Sequence, residues 1–411
     1  MHSVLSLQEK KWNVPLVLAL ILLQYIAFSY SGIEINGHRI SGIFLGIIFV
    51  FQLFWGTLKL NSSEIFLFIL LFFPLCLWDI LQFFVIKDMG ILIKASNLLF
   101  NVIAALVISK NVGFLKYTMV LRYLMLCNVI IVIVAAFYGS LTLNPDIHSP
   151  YAPNLILSIY NCSFSAGLGS FSSLETIRTG GLCGHPNQFG IMTVAAMVGL
   201  SYTQTSTKSK IFWWSVFLLS FIVSESRAAI LFLIVFYLCK RIMEKKDLRS
   251  VIINSVLLLF AVIGMESLST LRDDSVNADI TSGRAELLGI ALSNFSSALD
   301  TTKIMGVGLG NAGAYLMSQY GFDIPIDNAY VLLLLEIGYL GTFLWMSILF
   351  FLIYYAKKHS EMPIYEWLPF FISLFVYSLF EHGLSVDLYS LHWMVFLYFM
   401  ISYRDMRLRH T

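Results

Sequence analysis

Between Val14 and Tyr403 the chain is a succession of apolar runs, each about as long as a bilayer is thick, and this repetition constrains the fold more than any single motif. A helix crosses the hydrocarbon core with about 20 apolar residues, and with about 17 at the lower end. Such runs are read at 14–30, 41–58, 65–86, 91–108, 118–138, 187–204, 211–223, 226–239, 251–266, 328–353, 364–380 and 391–403. The expected fold is therefore all-α, a polytopic integral membrane protein of about twelve transmembrane helices, with residues 1–411 as a single membrane domain. Composition agrees: 58% of residues are hydrophobic and 12% charged, against about 25% charged in soluble domains. A net charge of +2 gives no reason to expect a nucleic-acid partner.

Orientation follows from the basic residues, which concentrate on the cytoplasmic side of membrane proteins. With the N-terminus inside, seventeen of the twenty-six lysines and arginines fall in cytoplasmic pieces, eight lie on or near the outer side, and Arg122 sits within a span. Both termini are expected in the cytoplasm. The run at 14–30 follows Lys10 and Lys11 without a small-residue cleavage site, so no cleavable signal peptide is expected.

One segment breaks the pattern. Residues 211–239 are flanked by "KSK" and "KRIMEKK", both cytoplasmic by composition, so this stretch must leave the cytoplasm and return to it. At 1.5 Å per residue each arm reaches about 20 Å. It is read as a short helical hairpin whose "SESR" tip, carrying Glu225 and Arg227, stops below the outer surface. Irregular backbone at that depth is tolerated where it is buried in protein or lines a wet cavity.

Two long connections are expected outside: a Ser-, Asn- and Gly-rich loop at 139–186 and a larger one at 267–327. In the second, Leu288, Leu292 (with Ala291), Phe295 and Leu299 recur at helical spacing, as in an amphipathic helix lying on the membrane or capping a cavity. "GVGLGNAG", Gly306 to Gly313, follows no strand, so it is read as a tight turn returning the loop to the membrane and not as a dinucleotide fingerprint. The five cysteines show no metal-ligand spacing, and neither a metal nor a cofactor is expected; Cys162 and Cys183 share a loop, where pairing and isolation both stay open.

Three arginines fall near loop–helix junctions: Arg178 in "IRTGG", Arg227 in "SESRAA" and Arg284 in "TSGRAE". A guanidinium donates paired hydrogen bonds and keeps its charge, which suits phosphate. His185 ends the first outer loop in "GHPNQFG", with Asn187 as the cap of the next helix, and Asp327 or Asn328 caps the span "IDNAYVLLLLEIGYLGT". Glu336, deep in that span, is an intramembrane carboxylate and so a pairing or functional residue by default.

"RTGGLCGHPNQFG", "SESRAA", "TSGR…GVGLGN" and "DNAYVLLLLEIGYLGT" stand in the order and membrane setting in which the chain resembles the O-antigen ligase and polysaccharide repeat-unit polymerase superfamily, over about residues 175–345. The resemblance implies a GT-C-like membrane glycosyltransferase, without metal, at the outer face of the bacterial cytoplasmic membrane. It implies a donor of oligosaccharide repeat units on undecaprenyl diphosphate, and it leaves open a chain-length regulator protein as partner. Arg227 and Arg284, then Arg178, are the expected diphosphate ligands, with Glu225 orienting Arg227 and Asp327 as general base. His185, Asn187 and Asn328 are further substrate-binding candidates. Ligases carry a His-Asn pair where this chain has Asp327–Asn328, which favours a polymerase. The alternatives are a ligase transferring glycan to lipid A-core and, in another class, a transporter of lipid-linked sugars.

Overall fold

The computed structural model describes residues 16–17, 19–21, 27–30, 33–56, 58, 60, 62–112, 114–137, 154–159, 162–167, 170–173, 176–179, 186–202, 206–224, 226–244, 252–253, 256, 284–320, 326, 328–359, 363–380, 394–395 and 397–398. Helices dominate. Four stretches, Ser62–Ile86, Met89–Asn111, Lys116–Ile133 and Ala329–Tyr355, are long and apolar enough to cross a membrane, and Ser41–Phe54, Phe189–Ser201 and Ile364–Tyr377 are apolar but shorter. The expected spans at 251–266 and 391–403 lie largely outside the described residues.

The described residues are mostly helical, in keeping with the all-α expectation, and short strands accompany the helices. β1 (Ala27–Tyr30) and β2 (Ile33–Asn36) pair with β3 (Asn154–Ile159) and β4 (Cys162–Gly167) in a four-stranded sheet of order β2-β1-β4-β3, and β5 (Ser170–Ser173) pairs with β6 (Thr176–Thr179). The expected span at 14–30 thus ends as a strand. The physical reason is local: "SGIEING" puts two glycines and a glutamate beside β-branched residues, which favours a hairpin over continued helix.

The chain falls into two compact units. The first holds residues 1–59, 103–230 and 404–411. There α1 (Gly37–Phe54) meets the end of α3 (Met89–Asn111) through a reciprocal amide pair: Gln52 Nε2 donates to Asn111 Oδ1 at 2.9 Å, and Asn111 Nδ2 donates back at 3.3 Å. The same unit contains α4 (Phe114–Phe137), α5 (Pro186–Ser201) and α6 (Thr207–Ser224), which pack on one another. Phe114 meets Tyr202 just past α5, and the Thr118 methyl sits where a side chain on Gly199 would go, so α5 runs antiparallel to α4. Tyr123 meets Trp213, and Val132 packs with Val223, so α4 and α6 run parallel. Small residues let these backbones approach, as membrane helices require.

The second unit holds residues 60–102 and 231–403. It contains α2 (Ser62–Ile86), the main part of α7 (Arg227–Glu244), α8 (Arg284–Ser297), α9 (Asp300–Met305), α10 (Ala312–Tyr320), α11 (Ala329–His359) and α12 (Ile364–Tyr377). α8 realises the helix expected in the large loop, and its position favours a packed element. Ala291 and Phe295 are buried in one cluster with Ala312, Leu316, Val331 and Leu335, whereas Leu292 and Leu299 are exposed.

Candidate functional site

α11 does not run continuously. Gly338 has φ 68° and ψ −176°, a conformation that costs an L side chain dearly, and the helix breaks there. A break frees carbonyls that must find donors inside a membrane protein. They find them in the glycine-rich turn. Val307 N–H donates to Leu335 O at 2.8 Å and Gly308 N–H donates to Glu336 O at 3.0 Å. Gln82 of α2, fully buried, donates through Nε2 to Glu336 O at 2.7 Å and also to Met305 O. Both lone pairs of Glu336 O are thus engaged. The turn enters through Gly306, φ 80°, whose Cβ would strike Glu336 O and lie 2.6 Å from Gly338 N. The two glycines touch back to back, and "GVGLGN" is the piece that seals the break in "EIGYLG".

The turn leaves through Asn311, whose Nδ2 donates to Asp88 Oδ2 at 2.7 Å, while Asp88 Oδ1 accepts from Gly90 N–H at 2.8 Å. These two bonds, the Gly90 one first, hold the Asp88 carboxyl below the ordinary carboxylate range. Beneath the turn, α2 presents a polar stripe. Trp78 Nε1, Asp79 Oδ2 and Gln82 Oε1 are buried with no hydrogen-bond partner among the described residues, and Asp79 is 3% exposed. Asp79 and Gln82 are not singled out by the sequence reading, although a carboxylate inside an apolar run is the signal that could have found them.

Asn328 is the cap of α11: its Oδ1 accepts from the N–H groups of Tyr330 at 3.0 Å and Val331 at 3.1 Å. Its Nδ2 donates to Leu379 O, Ala329 N–H donates to Ser378 O and Tyr330 OH donates to Phe375 O, so the start of α11 satisfies the carbonyls at the end of α12. Asp327 lies outside the described residues, as do Glu225 and His185. Arg284 is the first residue of α8.

In the first unit, α5 begins at Pro186, so Asn187 stands at the second helical position and is not the cap expected for it. Proline prefers that first position because its ring presets φ and it has no N–H to leave unpaired. One turn on, a Cβ at Gly190 would lie 2.6 Å from Ser226 Cβ and 3.0 Å from Ala229 Cβ. "GHPNQFG" and "SESRAA" therefore meet through a glycine–serine contact, with Ser226 buried and Arg227 next to it as the first residue of α7. Arg178 lies in β6, a strand that contacts α6. The structure thus brings Asn187 and Arg227 to one junction, and Arg284 and Asn328 into the other unit. α6 and α7 have 18 residues each, longer than the apolar arms of the expected hairpin, because Lys208, Lys210, Lys240 and Arg241 are themselves helical.

Compared with known protein families and with characterised proteins, the chain matches none.

Proposed function

We propose that this protein is a membrane glycosyltransferase that polymerises oligosaccharide repeat units carried on undecaprenyl diphosphate at the outer face of the bacterial cytoplasmic membrane. The observation that carries the reading is that the four motifs of the resemblance, scattered over about 170 residues of sequence, meet in pairs. "GHPNQFG" packs on "SESRAA" through Gly190 and Ser226, and "GVGLGN" docks on the break in "EIGYLG". Sequence stretches that touch each other share a structural task, which supports their being parts of one functional set.

The chemistry asked of them is substitution at an anomeric carbon. An acceptor hydroxyl attacks that carbon, the bond to the diphosphate oxygen breaks, and undecaprenyl diphosphate leaves with the bonding electrons. In-line attack inverts the centre. Arg227 and Arg284, with Arg178, hold the diphosphate and offset its growing charge, a form of stabilisation that is strong in a poorly screened cavity. Asp327 takes the hydroxyl proton, a role that contributes about 10²–10⁴-fold in rate.

The break in α11 also bears on the transporter alternative, since transporters use broken helices to offer carbonyls to ions and substrates. Here those carbonyls accept from Val307, Gly308 and Gln82, which favours a structural role for the break. The test is to give purified protein a lipid-diphosphate-linked repeat unit and resolve the products by size. A ladder stepping by one repeat is expected, and Arg227→Ala should abolish it while the protein still inserts. No ladder from folded protein with its authentic repeat unit would move the reading to the ligase, to be tested with a core-lipid acceptor.

A further inference from the structure

Arg122 is a cation inside the candidate span Lys116–Ile133, it is 6% exposed, and the proposed polymerase chemistry does not use it. Its side chain lies back along α4 toward the helix N-terminus: Nε donates to Thr118 O, one turn earlier, at 3.4 Å. The guanidinium is stacked over the Trp213 ring at 5.4 Å, and Tyr123 meets the same ring edge-on at 5.5 Å. Among the described residues its terminal nitrogens have neither a hydrogen-bond acceptor nor a carboxylate partner. Four N–H donors are therefore held in a fixed plane at a membrane helix with no acceptor for them among the described residues.

The direction of the fork is informative. α4 and α6 run parallel, so their first turns lie at the same end, where Lys116, Lys208 and Lys210 are exposed. That is the end to which the distribution of basic residues assigns the cytoplasm. Long cationic side chains near helix ends reach for the headgroup level. Met119 and Tyr123 near Arg122 in the sequence, and Ile211 and Phe212 just before Trp213, are exposed and apolar, as a surface covered by acyl chains should be.

We infer that Arg122, Trp213 and the collar of Lys116, Lys208 and Lys210 form a binding site for the phosphate of an anionic phospholipid in the leaflet on the lysine-rich side. The indole supports the guanidinium plane, the fork donates paired hydrogen bonds to two phosphate oxygens, and the lysines add charge. The site stands on the helix geometry alone and is independent of the polymerase reading.

Native mass spectrometry of the delipidated full-length protein tests this. The protein is titrated with phosphatidylglycerol, with a diacylglycerol of the same acyl chains and no phosphate, and with inorganic phosphate. Wild-type protein should retain one phosphatidylglycerol at least about tenfold more tightly than diacylglycerol, and Arg122→Met should erase that preference, as loss of a charge-assisted bond predicts. Arg122→Lys keeps the charge and stem and loses the fork, so it should weaken binding several-fold even if the methionine variant fails to fold. Equal retention of diacylglycerol, or unchanged phosphatidylglycerol binding in folded Arg122→Lys, overturns the site. Saturation by inorganic phosphate with no lipid bound overturns the assignment to a lipid.

Discussion

Two regions answer the same problem, polar groups inside an apolar protein, in opposite ways. At the break in α11 the carbonyls of Leu335 and Glu336 are met by Val307, Gly308 and Gln82. At Arg122 the guanidinium is held by Thr118 O through Nε and by the face of Trp213, while its terminal nitrogens meet no acceptor among the described residues. The difference teaches where to look for ligands. Glycine and amide groups that satisfy each other make architecture, and a buried cation with donors to spare makes a binding site.

The comparison can be broken most forcefully at the glycines. Gly338→Ala adds a side chain at φ 68° against the backbone of Ile304 and Gly306, and Gly306→Ala does the same against Glu336. Each should cost more than about 3 kcal/mol and leave little folded protein by size-exclusion chromatography, because strain and a backbone clash combine. If either variant folds and melts like the parent, the break is not the rigid joint described above. Gln82→Leu comes next. It removes the donor to Met305 O and Glu336 O and should cost about 1–3 kcal/mol, read as a lower melting temperature in detergent. Arg122→Met sharpens the contrast, since in lipid-free detergent it loses the cation–π contact, about 0.5–2 kcal/mol, and one long bond to Thr118 O. A larger loss than for Gln82→Leu would reverse the roles assigned to the two regions.

The smallest effect is expected at Asp88. Its carboxyl is held below the ordinary range, so the stability that it contributes is present above the unfolded value of about 3.9. That contribution is lost as pH falls through the lower folded value. Melting temperature should therefore be indifferent to Asp88→Asn in its pH profile near neutrality and diverge only in acid below about pH 4. A difference in slope between pH 6 and 8 would contradict the Gly90–Asp88–Asn311 clasp as the cause.

Helix positions were legible in the sequence because lipid and protein interior both demand apolar side chains over a bilayer's thickness. α2, α3, α4 and α11 follow from run length alone. The glycine-rich turn and the cap at Asn328 were also legible, since each rests on local backbone chemistry. What the turn docks onto was not, because Gly306 and Gly338 are neighbours only through tertiary structure. β1 and β2 were missed since four-residue strands leave almost no periodicity. Asn187 has a cap's side chain, yet the proline before it already starts the helix. Gln82 carries no signal in sequence, since one amide in an apolar helix looks neutral until its partners on α9 and α11 are known.

The joint at Gly338 also has a schedule. Its donors come from Gln82 and from residues 307–308, all synthesised before the carbonyls of Leu335 and Glu336 that two of them serve and that Gln82 joins. Until residues 335–338 have been made, the N–H groups of Val307 and Gly308 lack the carbonyls that receive them in the fold. The joint is therefore a late assembly step, closed only when the second half of α11 follows the first, and a chain truncated before residue 335 should leave the released turn open to protease where the full chain protects it.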